Sequence, residues 1–161
     1  MKDLRELLAH EVQDLYSAET QLIQAFPKLS GVTQSNRLKQ TFDKHLEETK
    51  RQKERLQQIA KLMQIKVNDG KCEGMEGLLR ESEKFTKVKV EPEVRDAAII
   101  GAAQKIEHYQ IAGYGTARTY AQLIGESEIA DLLGYCLNEV KTADQTLTNV
   151  ALERVNERAM A

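Results

Sequence analysis

The spacing of the apolar residues constrains this chain most: they recur at steps of three and four through four long segments. That is the period of one buried helix face, whereas the faces of a strand alternate every two residues. Leu4, Leu8, Val12, Leu15, Leu22 and Phe26 form the first stripe, with Pro27 expected to kink or tighten the helix before Gly31 ends it. Ser35 or Asn36 can cap a second helix. Its stripe runs through Leu38, Phe42, His45, Leu46, Thr49, Gln52, Leu56, Ile59 and Met63, and a turn is expected at Asn68-Asp69-Gly70. After one short helical pattern (Met75, Leu78, Leu79, Phe85) and an extended VKVEP, a third long helix is predicted from Pro92 to near Gly125. It is built on Ala97, Ile100, Gln104, Glu107, Ile111 and Tyr114. A fourth runs from about Ser127 to Glu157 on Ile129, Leu132, Leu133, Cys136, Val140, Ala143, Leu147 and Val150.

Four helices of roughly 25 to 30 residues, each about 40 Å long, are most simply buried against one another as an all-α, antiparallel four-helix bundle. The connection between the second and third is too long for a tight hairpin and predicts a crossover carrying a short helix. At 161 residues the chain fits a single domain over 1–161, and its Leu, Glu, Lys, Gln and Ala with only 2 Pro and no Trp exclude an all-β fold. The 23 basic and 25 acidic residues nearly cancel, and without a local basic patch no nucleic-acid partner is expected. The longest apolar or small run, 97–103, falls far short of the roughly 20 residues that cross a bilayer, so no membrane role is expected. Met1 is followed by charged residues and an amphipathic pattern, and the expectation is cytoplasmic. Cys72 and Cys136 form no CxxC pair and read as reduced thiols, with Cys136 behaving as a small buried hydrophobe.

Carboxylates interrupt the core pattern. Advancing 100° per residue puts Glu19 within the first stripe and Glu107 near the centre of the third, while Glu48 and Glu139 fall roughly 60° to 80° from their stripe centres. Each long helix thus offers one inward or nearly inward Glu. Buried carboxylates repel and need neutralising, and Lys50, Lys105, Lys141 and Arg118 do not fall on the same stripes at those levels. One or two divalent ions could supply the charge, and hard oxygen ligands suit iron or manganese. Glu48 and Glu139 could equally be solvated flanks. His45, one turn before Glu48, is a candidate ligand or a satisfied core residue, and Asp144 is a lesser candidate. Tyr16 and Tyr114 lie near the same levels, for core packing or for hydrogen bonds to carboxylates. The Glu-x-x-His pattern is absent: Arg51 and Thr142 stand in those positions. The halves echo each other, with Glu19 and Glu107 offset by 88 residues and Glu48 and Glu139 by 91, consistent with a pseudo-twofold site.

The strings DLYSAETQL, HLEETKRQKERL, CEGMEGL, AAQKIEHYQIAGYGT and LLGYCLNEVKTADQTL, in this order and spacing, resemble the YciE/YciF-type stress-associated ferritin-like proteins of bacteria from about residue 4 to 152. The resemblance implies a ferritin-like bundle, usually a homodimer, with a rubrerythrin-like two-metal site and a link to stress. It implies Glu19, Glu48, Glu107 and Glu139 as the metal-facing carboxylates. Gln110 stands where the family pattern has an acidic residue three after the Glu of EHY, and Lys50 where at least one relative has His. The expected function is therefore a di-metal protein, two divalent ions of iron or manganese, that binds Fe(II) and reduces peroxide or oxygen under stress. The alternative is a non-catalytic dimeric helical stress protein acting through a partner, with a degenerate metal site.

Overall fold

The computed structural model describes residues 1–68 and 70–160, and every regular element among them is helical. Four long helices carry the fold: α1 (Leu4–Val32), α2 (Asn36–Met63), α4 (Pro92–Leu123) and α5 (Ser127–Val150). The shorter α3 (Glu73–Lys87) lies in the crossover, which ends in the irregular stretch 88–91 before Pro92. Asp69 of the expected turn lies outside the described residues.

Local chemistry sets the helix ends. Asp3 accepts the Glu6 amide, Ser35 accepts that of Leu38, and the Cys72 sulfur accepts that of Met75, so each start satisfies an otherwise unpaired donor. Pro92 opens α4, where its missing N–H costs nothing. Gly125, at φ 79°, makes the tight reversal into α5 in a left-handed conformation that a side chain would disfavour. Two ends differ from expectation. Helix α1 runs through Pro27 and past Gly31 to Val32, because Thr33, with its amide on the Ser30 carbonyl, closes the last turn. At the other end α5 stops at Val150 and continues as a π-helical turn, Ala151–Val155, before the short α6 (Asn156–Ala159).

Contacts between elements fix the topology. Tyr16 meets Gln57 while Phe26 meets Phe42, so α1 and α2 are antiparallel. Gln104 and Arg118 of α4 meet Thr148 and Gly134 of α5, giving a second antiparallel hairpin. The two hairpins pack face to face, α1 antiparallel to α4 through Arg5–Glu126 and Glu19–Gln110, and α2 antiparallel to α5 through Arg37–Glu153 and Gln52–Glu139. The crossover joins the diagonal helices α2 and α4 and lays α3 over the outside of α1 and α4, as the long connection predicts.

Two apolar clusters fill the bundle. One holds Leu8, Val12, Leu15, Leu56, Ile59, Tyr114 and Leu133; the other holds Leu22, Phe26, Leu38, Phe42, Ile99, Ile106 and Leu147. Full burial of each such side chain contributes about 1.5–3 kcal/mol, which lets the bundle tolerate a costly layer elsewhere. That layer lies between the clusters, at mid-length of all four helices.

Candidate metal centre

The layer between the apolar clusters is polar and closed. Glu19, His45, Thr49, Gln52, Glu107 and Gln110 are all at most 3% exposed there, although a buried carboxylate is costly unless it is paired. Glu19 from α1 is held on one side only. Its Oε1 accepts from Tyr114 Oη at 2.6 Å and from Gln110 Nε2 at 2.8 Å, while its Oε2, equally buried, has no partner. Burial is the main reason that the Glu19 carboxyl rises to about 7, with the two hydrogen bonds opposing and Glu139 adding to the rise.

Glu107 from α4 faces this group. Burial first, and then the charges of Glu19, Asp144 and Glu48, push its carboxyl well above the ordinary carboxylate range. His45 Nδ1 lies 3.3 Å from Glu107 Oε1 without hydrogen-bonding to it and is itself unpartnered. Burial, helped by nearby Lys44, lowers His45 to about 4, so at neutral pH the ring is uncharged and offers Glu107 no counter-charge. Phe26 and Phe42 stand edge-on to the imidazole and fix its plane. A cleft of about 10 Å³, the room one water or ion needs, opens between His45, Glu48, Glu107, Gln110 and their neighbours on α5.

The other expected residues lie at the rim. Glu48 is mostly covered, with Lys44 one turn earlier at 3.5 Å. Glu139 is gripped by Arg55, whose Nη1 and Nη2 donate to its two oxygens at 2.8 and 2.9 Å, and by Gln52 at 3.1 Å. Asp144 accepts from Gln104 and lies 3.5 Å from His108, outside the layer, although its charge reaches Glu107. Tyr114 combines both expected roles, being fully buried and donating to Glu19. Tyr16 bonds Gln57 and not a carboxylate.

The expectation that the chain lacks a counter-charge at this level needs correcting. Arg55 supplies one for Glu139, reaching in from the edge of α2, three residues after Gln52 and four before Ile59. That spacing is the signal that points to it, since a long arginine stem spans from helix edge to core. Sequence spacing gives no hint of a second cluster, in which Cys72, Tyr109 and Asp14 from the crossover, α4 and α1 are mutually hydrogen-bonded within 3.2 Å.

Whether this layer fits metal ions follows from its donors. Around Glu19 and Glu107 the fit is good: two carboxylates, an unpartnered oxygen, an unpartnered imidazole nitrogen and no cation hydrogen-bonded to either acid. Around Glu139 it is poor, because both oxygens are already bonded to a guanidinium. Among the described residues no three His, Cys, Asp or Glu side chains stand close enough together to form a ready-made cage. Nor is any helix among them long and apolar enough to cross a membrane.

Comparison with known proteins agrees with the architecture. A family model described as a domain of unknown function, DUF892, matches residues 3–160. Protein YciF of Escherichia coli K12 is 43% identical over 160 residues, covering 99% of this chain and 96% of the relative. The crystal structure of that stress protein superposes with a TM-score of 0.93 over 97% of this chain and 99% of its own. YcfI from Rhodopseudomonas palustris, 37% identical, superposes at 0.87 over 92% and 94%.

Proposed function

Because this chain belongs to the DUF892 family and is similar throughout to a stress protein, we propose that it is a ferritin-like stress-response protein that binds divalent iron between Glu19 and Glu107. One observation carries the reading: two buried, mutually repelling carboxylates, one of them with an unpartnered oxygen, lie beside an unpartnered imidazole nitrogen. Such a group is stabilised either by protons or by a cation of higher charge.

The residues divide the work. Glu19 Oε2, Glu107 and His45 Nδ1 would hold the ion, with Glu48 at the cleft mouth; no three of these side chains form a ready-made cage among the described residues, so they would have to close around it. Tyr114 and Gln110 hold Glu19 by its other oxygen, so that Oε2 is presented without rotation. Phe26 and Phe42 orient the imidazole and shut out bulk water. Oxygen-rich donors with one imidazole suit Fe(II) or Mn(II). When bound, each Fe(II) would supply one electron towards reducing peroxide or oxygen, the remainder coming from an external reductant. The reading includes a homodimer, which sedimentation can check.

Anaerobic dialysis against Fe(II), followed by elemental analysis, tests the proposal. Uptake should be stoichiometric in the wild type and lost in Glu19→Ala and Glu107→Ala; retention in both variants overturns it.

A second reading has its own support. The Gln110 amide on Glu19 and the guanidinium on Glu139 are what a core that neutralises its acids without metal would use, and they fit a non-catalytic helical protein that acts through a partner. It expects a melting temperature indifferent to Fe(II) and Mn(II).

A further inference from the structure

We propose that Arg55 takes the place of a second metal ion, so that the centre holds one divalent ion per chain and Glu139 is not a ligand. The inference deepens the reading above and rests on it for the first ion only.

The geometry at Glu139 leaves no oxygen unused. Oε1 accepts from Arg55 Nη2, and Oε2 accepts from both Arg55 Nη1 and Gln52 Nε2. Two parallel charge-assisted bonds between a planar guanidinium and a carboxylate are among the strongest side-chain pairings, and guanidinium does not deprotonate to make way for another cation. The pair is about three-quarters buried on each side, which limits screening. Arg55 is also anchored beyond Glu139, with Nη1 at 3.8 Å from the buried Cys136 sulfur.

An ion entering at Glu139 would have to break both bonds and then sit beside the released guanidinium. The two ends of the layer therefore differ in kind. The Glu19–Glu107 end has unpartnered donor atoms and no cation bonded to either acid, while the Glu139 end has a fixed cation and no unpartnered oxygen. A symmetric two-ion site, with ions about 3.5–4 Å apart, is thereby reduced to one ion and one arginine.

The test counts Mn(II) bound at saturation to the full chain in wild type, Glu139→Gln and Arg55→Met, with folding followed by circular dichroism. Glu139→Gln should bind as many ions as the wild type, and Arg55→Met should bind one more. Loss of an ion in Glu139→Gln, or no gain in a folded Arg55→Met, overturns the proposal. Where Arg55→Met does not fold, Glu139→Gln and the spectrum of the wild type decide. Wild type loaded with Mn(II) should give the electron paramagnetic signal of isolated ions, and an exchange-coupled pair overturns the proposal. A wild type that binds no ion refutes the iron-binding reading, but the gain in Arg55→Met still tests the role of the arginine.

Discussion

Tyr114 donates its hydroxyl to Glu19 Oε1 across 2.6 Å, with both side chains fully buried. The bond steadies one oxygen of a carboxylate that burial otherwise penalises. It does not remove the cost: the Glu19 carboxyl stands at about 7 against an ordinary 4.5.

That shift has a definite sign in stability. A carboxyl whose pKa is higher folded than unfolded favours the folded state while protonated, and this advantage is lost as pH rises from 4.5 to 7. His45, lowered from 6.5 to about 4, acts the other way and favours folding as pH rises through that window. The two trends offset each other in the wild type, so a variant has to separate them. In chelator, Glu19→Gln should match the wild type near pH 5 and gain on it by pH 7.5, by on the order of 3 kcal/mol. Urea titrations at the two pH values measure this. A difference independent of pH contradicts the assigned shift.

Gln110 donates to the same Glu19 oxygen, 2.8 Å away. Gln110→Glu removes a donor and adds a buried like charge, so the metal-free protein should lose about 1–3 kcal/mol at pH 7.5. Added Fe(II) or Mn(II) should recover most of that loss and bind more tightly than in the wild type. Melting curves with and without metal show both effects. A variant that is destabilised and not rescued places Gln110 outside the metal layer.

One of the points that pin the crossover to the bundle lies at the start of α3. A Cβ on Gly74 would lie 2.6–2.9 Å from the ring and hydroxyl of Tyr109, and that hydroxyl is bonded to Asp14 and close to the Cys72 sulfur. Gly74→Ala must push the ring off these partners, at a cost of about 1–3 kcal/mol. Amide exchange should accelerate over residues 73–87 and remain unchanged in the middle of α2 and α5. Uniform acceleration would mean that α3 unfolds only with the whole bundle.

The helices are legible in the sequence because each buries one continuous stripe, and a stripe of apolar residues at steps of three and four has one helical solution. Glu19 and Glu107 are legible for the same reason: they interrupt the stripe, and both prove buried. The phase argument weakens at helix edges, where a long side chain decides its own direction. Arg55 and Glu139 meet from two edges: the spacing of Arg55 from Gln52 and Ile59 marks its inward lean, but nothing in either position pairs it with Glu139. Clusters assembled from three elements, such as Cys72, Tyr109 and Asp14, leave no periodic trace at all. The π-helical turn at 151–155 is likewise hidden, since it changes hydrogen-bond register and not composition.

Glu19 and Glu107 have no cation hydrogen-bonded to them, the state that a bound divalent metal would complete. Anaerobic calorimetric titration of Fe(II) into metal-free wild type and Glu107→Gln tests this most directly. Binding should be saturable in the wild type and absent from the folded variant. A wild type that shows no saturable binding, or a variant that binds as well as the wild type, contradicts it.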